Sequence, residues 1–303
     1  NDKKIPRKKI RAQELLMDLL KERAETGRIY IMNIDHCNTH SSFKDKVYMS
    51  NLCQEITLPT TPLQHIDDKN GEIALCILSA INLGLVKEKD ELEELCDLSV
   101  RALDEIIDYQ EYPVEAAKKS SESRRSLGVG YIGLAHYLAK NKVKYGDEEA
   151  LEIVHRLSEH FQYYLLKGSV EVAKEKGPCA RFNETKYSQG LLPIDHYKQD
   201  VDDLVKPNYE LDWETLREEM QLHGLRNSTL SAQMPSESSS VVSNETNGIE
   251  PPRDYLSIKK SKKGPLKQIV PGYSHLKNFY TLLWDMPNND GYIKVVSVMQ
   301  KFF

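Results

Sequence analysis

Cys53 and its neighbours are the first side chains in this sequence suited to chemistry. In Ser50-Asn51-Leu52-Cys53-Gln54-Glu55, the residues Asn51, Cys53 and Glu55 alternate. On an extended chain alternate residues project to one side, so an amide, a thiol and a carboxylate would converge on one volume. The competing reading is a loop ahead of a strand with a buried cysteine, since free cysteine is among the most buried residue types. Cys76 follows within the apolar run from Glu72 to Leu83. Alone it reads as a core thiol. A redox role needs a partner whose Cα comes within about 4.4–6.8 Å, and the sequence leaves open whether any of Cys37, Cys53, Cys96 or Cys179 can do so.

Two further stretches carry functional side chains. Asp35-His36-Cys37-Asn38-Thr39-His40 has the residue types of a metal cluster, but zinc sites usually draw two separated ligand pairs and no second pair exists. A hydrogen-bonded turn after a strand is the better reading. Pro235-Ser236-Glu237-Ser238-Ser239 sets hydroxyls at a predicted helix start. Orphan N–H groups and the helix dipole there favour an anion such as phosphate. Spacing alone favours an ordinary serine N-cap. Cys96 falls on the apolar stripe of its helix, Cys179 lies in a loop after Gly177-Pro178, and the lysines at 259–263 read as a solvated hairpin tip.

The elements that must position these groups follow from periodicity. Six Lys or Arg occupy residues 3–11. An amphipathic helix follows, with Leu15, Leu16, Leu19 and Leu20 as its stripe and Gly27 as its stop. Arg28 to Ile34 reads as a buried strand and Glu55 to Leu58 as a short one. Glu72 to Leu83 is a strand or a short helix. Helices are predicted over 88–109, 147–176 and near 212–222, and a strand-like run holding Gly128 and Gly130 leads into a helix by 140. Residues 226–252 read as a short strand, a turn at Pro235 and a short helix from Ser236. A hairpin over 255–258 and 266–270 and helices near 273–284 and 291–303 complete an α/β pattern.

Composition bounds the class. The 303 residues are 40% hydrophobic and 29% charged, a globular profile, and a net charge of −5 disfavours nucleic acid as an obligate partner. No apolar run approaches a membrane span. Five cysteines, an odd number without C-x-x-C, argue against a disulfide framework and point to a reducing cytoplasm. The closing stretch to Phe303 has helical apolar spacing and no stop signal, which raises the expectation of a piece of a longer protein, with a docked C-terminal helix as the alternative.

Taken together the segments resemble the large, catalytic subunit of class I ribonucleotide reductase. The motifs are Gly27-Arg28-Ile29-Tyr30 through Asp35-His36-Cys37-Asn38-Thr39-His40, then Asn51-Leu52-Cys53-Gln54-Glu55, then Gly71-Glu72-Ile73-Ala74-Leu75-Cys76. Met234-Pro235-Ser236-Glu237-Ser238-Ser239 with Thr246-Asn247-Gly248-Ile249-Glu250-Pro251-Pro252 completes the set. They stand in family order and spacing. The resemblance implies a ten-stranded α/β barrel, of which residues 1–303 would form the later half as one incomplete domain, with Cys53 on a central finger loop. Cys53 would carry a transient thiyl radical, Glu55 would act as general base, Asn51 would hold the ribose, and Cys76 would be one of two reducing thiols. Substrate would lie against Asn51, Leu52, Cys53, Gln54, Glu55 and Leu78, its diphosphate gripped by Pro235, Ser236, Glu237, Ser238 and Ser239, which reverses the preference for a plain cap. No metal or cofactor is expected on this chain. The radical would come from a metal-containing small subunit, and thioredoxin or glutaredoxin would restore the thiols.

The same resemblance defines what this sequence lacks. The partner thiol of Cys76 and the allosteric ATP and deoxynucleotide sites lie upstream in the family. The radical-relay tyrosine pair and the C-terminal cysteine pair lie downstream, and Tyr163-Tyr164, in mid-helix, is not that relay. The expectation is therefore a reductase portion that is inactive alone and needs the rest of the subunit. The alternatives are a split-gene fragment that works on assembly with its complement, or an inert assembly or regulatory protein derived from the fold.

Overall fold

The structure, a computed structural model, describes residues 4–87, 89–262 and 264–303. The predicted helix start at Glu88, Lys263 of the hairpin and the first three residues lie outside the described residues. In chain order the elements are α1 (Ala12–Thr26), α2 (Ile34–His40), β1 (Ile77–Asn82), α3 (Lys89–Tyr109), α4 (Glu115–Arg124), β2 (Leu127–Ile132), α5 (Leu134–Lys140) and α6 (Glu148–Lys176). They continue as α7 (Pro193–His196), α8 (Trp213–His223), α9 (Glu237–Val242), β3 (Leu256–Ser261), β4 (Gly264–Ile269), α10 (Tyr273–Leu276) and α11 (Asp290–Met299).

β1 and β2 pair in parallel, in register from Ile77↔Leu127 to Asn82↔Ile132. A parallel pair needs a long crossover, and α3 and α4 supply it. Residues 229–232 extend the sheet on the far side of β2. Leu127 N–H donates to the Thr229 carbonyl (3.0 Å), Val129 N–H to that of Leu230 (2.8 Å), and Ala232 N–H to that of Val129 (3.0 Å). All six residues of β2 are buried, as expected of a parallel strand covered on both faces.

The core lies between this sheet and α3 and α6. Leu92, Cys96, Val100, Leu103 and Ile107 are the buried stripe of α3. Gly168 of α6 lets the two helices close, since a methyl there would sit 3.3 Å from Asp97 Cα. α6 ends where Gly177 N–H donates to the Ala173 carbonyl, and α8 starts where the Asp212 carboxylate accepts from Thr215 N–H at 3.0 Å. Between α6 and α8 lie the 3-10 turns at 182–184, 186–189 and 199–203. At the end of α11, Lys301 is fully buried and its ammonium donates to Asp202 at 2.7 Å. Phe302 packs on His155, Tyr209 and Trp213.

Arg125 follows α4 in the left-handed region, with φ 49°. It donates to both carboxylate oxygens of Asp108 and to the Asp104 carboxylate (2.6 Å) and carbonyl (2.7 Å). Asp104 is fully buried and also accepts from Arg226 Nε (3.1 Å) and Asn227 Nδ2 (3.2 Å). This network bolts α3, the start of β2 and the strand at 229–232 together.

Two expected strands do not form. Residues 28–33 are irregular, Tyr30 and Ile31 are more than half exposed, and Ile34–His40 is helix rather than a turn. At 55–58, Glu55 is a bend and the three residues after it have no regular structure. Branched apolar residues favour a pleated surface only when a partner strand supplies the ladder. In α2, Asn38 takes that place: its Nδ2 donates to the Val47 carbonyl and its Oδ1 accepts from Val47 N–H, both at 2.9 Å.

Candidate active site

The Asn51–Glu55 segment is a tight loop, not an extended run, so the expected one-sided alternation of Asn51, Cys53 and Glu55 does not hold. Gln54 N–H donates to the Asn51 carbonyl (3.2 Å) and Asn51 N–H to that of Ile56 (3.3 Å). Gln54 takes the left-handed conformation, with φ 61°. The Asn51 Oδ1 accepts from Ile56 N–H at 3.2 Å. The physical reason is local. An asparagine amide offers the backbone a partner that competes with a strand ladder, and the loop closes around it.

This loop separates the two functional groups instead of aligning them. Leu52 and Cys53 point to solvent at its tip. Glu55 turns inward: its Oε2 is buried with no hydrogen-bond partner, and its charge acts on Cys76. Burial first, and then the Glu55 carboxylate, hold the Cys76 thiol well above the ordinary thiol range. Cys76 immediately precedes β1, with Sγ 3.7 Å from the Ile77 carbonyl. Leu78, two positions on, is in register with Gly128 of β2. The structure thus brings Glu55, Cys76 and Leu78 to one side of the parallel sheet, where Met234 follows from the neighbouring strand.

From Met234 the chain enters Pro235 and α9. Ser236 is buried, and its hydroxyl donates to Asn247 Oδ1 at 3.2 Å. Ser236 stands at the N-cap position of α9 without a side-chain cap hydrogen bond, so the ordinary cap that spacing alone favoured does not form. Gly248, with φ 46°, lies close against that hydroxyl. The N–H groups of a first helical turn have no intrahelical acceptor, and Glu237, Ser238 and Ser239 of that turn are exposed. Lys259 belongs to β3 rather than to a solvated tip. Its ammonium lies 3.2 Å from the Glu237 carboxylate and donates to the Glu237 carbonyl. Gln268 of β4 donates to the carbonyls of Ser240 (3.2 Å) and Glu245 (2.9 Å). A cavity of about 310 Å³ lies between α9 and the hairpin.

Sequence reasoning missed Asn247, Gln268 and the role of Lys259 because their partners lie 7 to 28 residues away. Gly128 and Gly130 carried a signal that went unused, since glycine inside a strand marks a close approach. Of the other cysteines, Cys96 is buried, as its place on the apolar stripe implied, and Cys179 is buried as well, although its segment read only as a loop.

The fold thus places a thiol and a carboxylate at one strand of an α/β sheet, with an exposed helix start on the neighbouring segment. Comparison with known proteins narrows this. The family model for the ribonucleotide reductase barrel domain matches residues 1–303, and the chain belongs to that family. It is 59% identical to the ribonucleoside-diphosphate reductase subunit alpha of Haemophilus influenzae over 99% of this chain. With the corresponding subunits of Buchnera aphidicola subsp. Schizaphis graminum and Escherichia coli (strain K12), identity is 58% and 57% over the same share. In each case the chain spans 40% of the relative's length.

Proposed function

We propose that this chain is the substrate-binding, thiol-bearing segment of the catalytic subunit of a ribonucleoside-diphosphate reductase, which makes 2′-deoxyribonucleoside diphosphates for DNA synthesis. The observation that carries this reading is the Glu55 carboxylate acting on the Cys76 thiol: a buried carboxylate oxygen without a partner and a half-buried thiol held neutral. An unpaired buried acceptor is costly, and a substrate hydroxyl would satisfy it.

The chemistry then divides among this chain's residues. Cys53, as a thiyl radical, takes the hydrogen atom from C3′ and becomes a thiol. Glu55 accepts the 3′-hydroxyl proton, within direct hydrogen-bond reach. The 2′-hydroxyl leaves as water with a proton from the reducing thiols. Cys76 and a second thiol supply the two electrons and the remaining hydrogen, which forms the new C2′–H bond, and close to a disulfide; Cys53 returns its hydrogen atom to C3′ and Glu55 its proton to the 3′ oxygen. Asn51, Leu52, Gln54 and Leu78 line the sugar. The segment Pro235, Ser236, Glu237, Ser238 and Ser239 holds the diphosphate through the backbone N–H groups after Pro235 and the exposed hydroxyls of Ser238 and Ser239, which positions the remote reacting carbon. The radical comes from a metal-containing small subunit, and thioredoxin or glutaredoxin reduces the disulfide. The remaining part of the large subunit holds the allosteric sites, and the assembly works in the cytoplasm.

The test is CDP reduction by the assembled reductase whose large subunit carries this segment. Cys53→Ser and Cys76→Ser each lower kcat by at least about a thousandfold, and Glu55→Gln by about 10²–10⁴. Sustained turnover by Cys53→Ser would refute the radical assignment.

A further inference from the structure

Two glycines on one face of β2 look toward the site, and they make room for different things. A methyl on Gly130 would sit 2.3 Å from the Ala232 carbonyl oxygen, a backbone atom of the adjoining strand. A methyl on Gly128 would instead meet side-chain tips: Leu78 Cδ2 at 2.5 Å, Cys76 Sγ at 2.9 Å and Ala232 Cβ at 3.0 Å. Residue 128 has an ordinary strand conformation, absent from the positive-φ glycines, and is in register with Leu78. Its lack of a side chain is therefore not explained by backbone freedom. Glycine in a strand interior weakens the strand, so the vacancy has to be accounted for by what fills it.

We propose that Gly128 is a positioning residue for the Cys76 thiol: the missing side chain creates the pocket wall against which Sγ and Leu78 rest. This inference rests on the assignment of Cys76 as a reducing thiol. Leu78 Cδ2 and Cys76 Sγ can swing aside and Ala232 Cβ, at 3.0 Å, has to give only a few tenths of an ångström, so a methyl there displaces the two tips while the β1–β2 ladder persists. Displacing a reacting atom by about 1 Å is enough to cost roughly 10²-fold in rate. Gly130 differs, because the carbonyl it accommodates cannot move without breaking the strand at 229–232.

The experiment uses the assembled reductase with Gly128→Ala, Gly130→Ala and Cys76→Ser. Gly128→Ala is expected to keep the parental unfolding midpoint and a KM for CDP within about twofold, to lose ten- to hundredfold in kcat, and to change the Cys76 alkylation rate by iodoacetamide at least about fivefold. Gly130→Ala is expected to lower the unfolding midpoint. Parental kcat and parental Cys76 alkylation in Gly128→Ala overturn the proposal. If Gly128→Ala does not fold, Gly128→Ala/Cys76→Ala decides. The thiol contact requires that removing Sγ restore folding, and a pair that stays unfolded while Cys76→Ala folds refutes it. Undiminished CDP turnover in Cys76→Ser would instead remove the redox assignment itself, whatever Gly128 does.

Discussion

Cys53 and Cys76 are both thiols of the proposed site, and their surroundings prepare them for opposite tasks. Cys53 stands at an exposed loop tip, whereas Cys76 is tucked between Glu55 and Gly128. Burial and, second, the Glu55 carboxylate keep Cys76 a neutral thiol, the form that can give up hydrogen. Burial lifts Cys179 to about 11, and burial, followed by the Glu93 and Asp97 carboxylates, raises Cys96. Iodoacetamide at pH 8 is therefore expected to label Cys53 first. In Glu55→Gln, Cys76 labels faster because a repelling charge is gone, but by less than about tenfold because burial, the larger cause, remains. Mass spectrometry of timed digests checks both, and slower Cys76 labelling in Glu55→Gln would contradict the electrostatic reading. The residue types at 51, 53, 55 and 76 were legible in the sequence. Their geometry was not: alternation suggested one shared face, and the Asn51 side chain closed a loop that turns Cys53 outward and Glu55 inward.

At the scale of elements, the long periodic helices α3, α6 and α8 and the β3–β4 hairpin stand where their patterns and stop signals put them. The strands predicted at 28–34 and 55–58 do not form, because a strand needs a partner that a local window cannot supply. What fixes α3 against the start of β2 and the segment at 229–232 is the polar bolt of Arg125, Asp104, Asp108, Arg226 and Asn227. Removing one partner of a buried pair leaves an uncompensated charge, so Arg125→Ala is expected to cost about 3–5 kcal/mol. Urea unfolding measures this, and a loss under about 1 kcal/mol would show that the bolt contributes little. The adjacent Asp108, held low first by its hydrogen bond from Arg125, contributes stability at neutral pH that disappears as acid protonates it.

For the whole molecule, the closure of residues 299–303 onto α6 is the decisive long-range contact. Lys301 reaches Asp202, and Phe302 seals His155 against Tyr209. Burial, followed by the nearby Lys301 charge, pushes His155 down to about 4, and burial likewise pushes His196 to about 4. Unfolded histidine titrates near 6.5, so between those values the unfolded chain binds more protons. The stability these neutral imidazoles give is complete above about pH 6.5 and is lost as pH falls toward 4. Thermal unfolding is expected to show a falling midpoint across that window, with a shallower slope in His155→Gln. An unchanged slope would assign the effect to other groups.

The sequence by itself determined the α/β class, the long helices, the family and the set of reactive residue types, because each rests on local composition or on motifs in fixed order. Only the tertiary structure decided which of those residues meet. Glu55 faces Cys76, Ser236 bonds Asn247, Lys259 pairs with Glu237, and Gly128 admits Cys76 and Leu78. Each of these juxtapositions depends on strand pairing and loop closure between distant segments, which no periodicity within a single segment encodes.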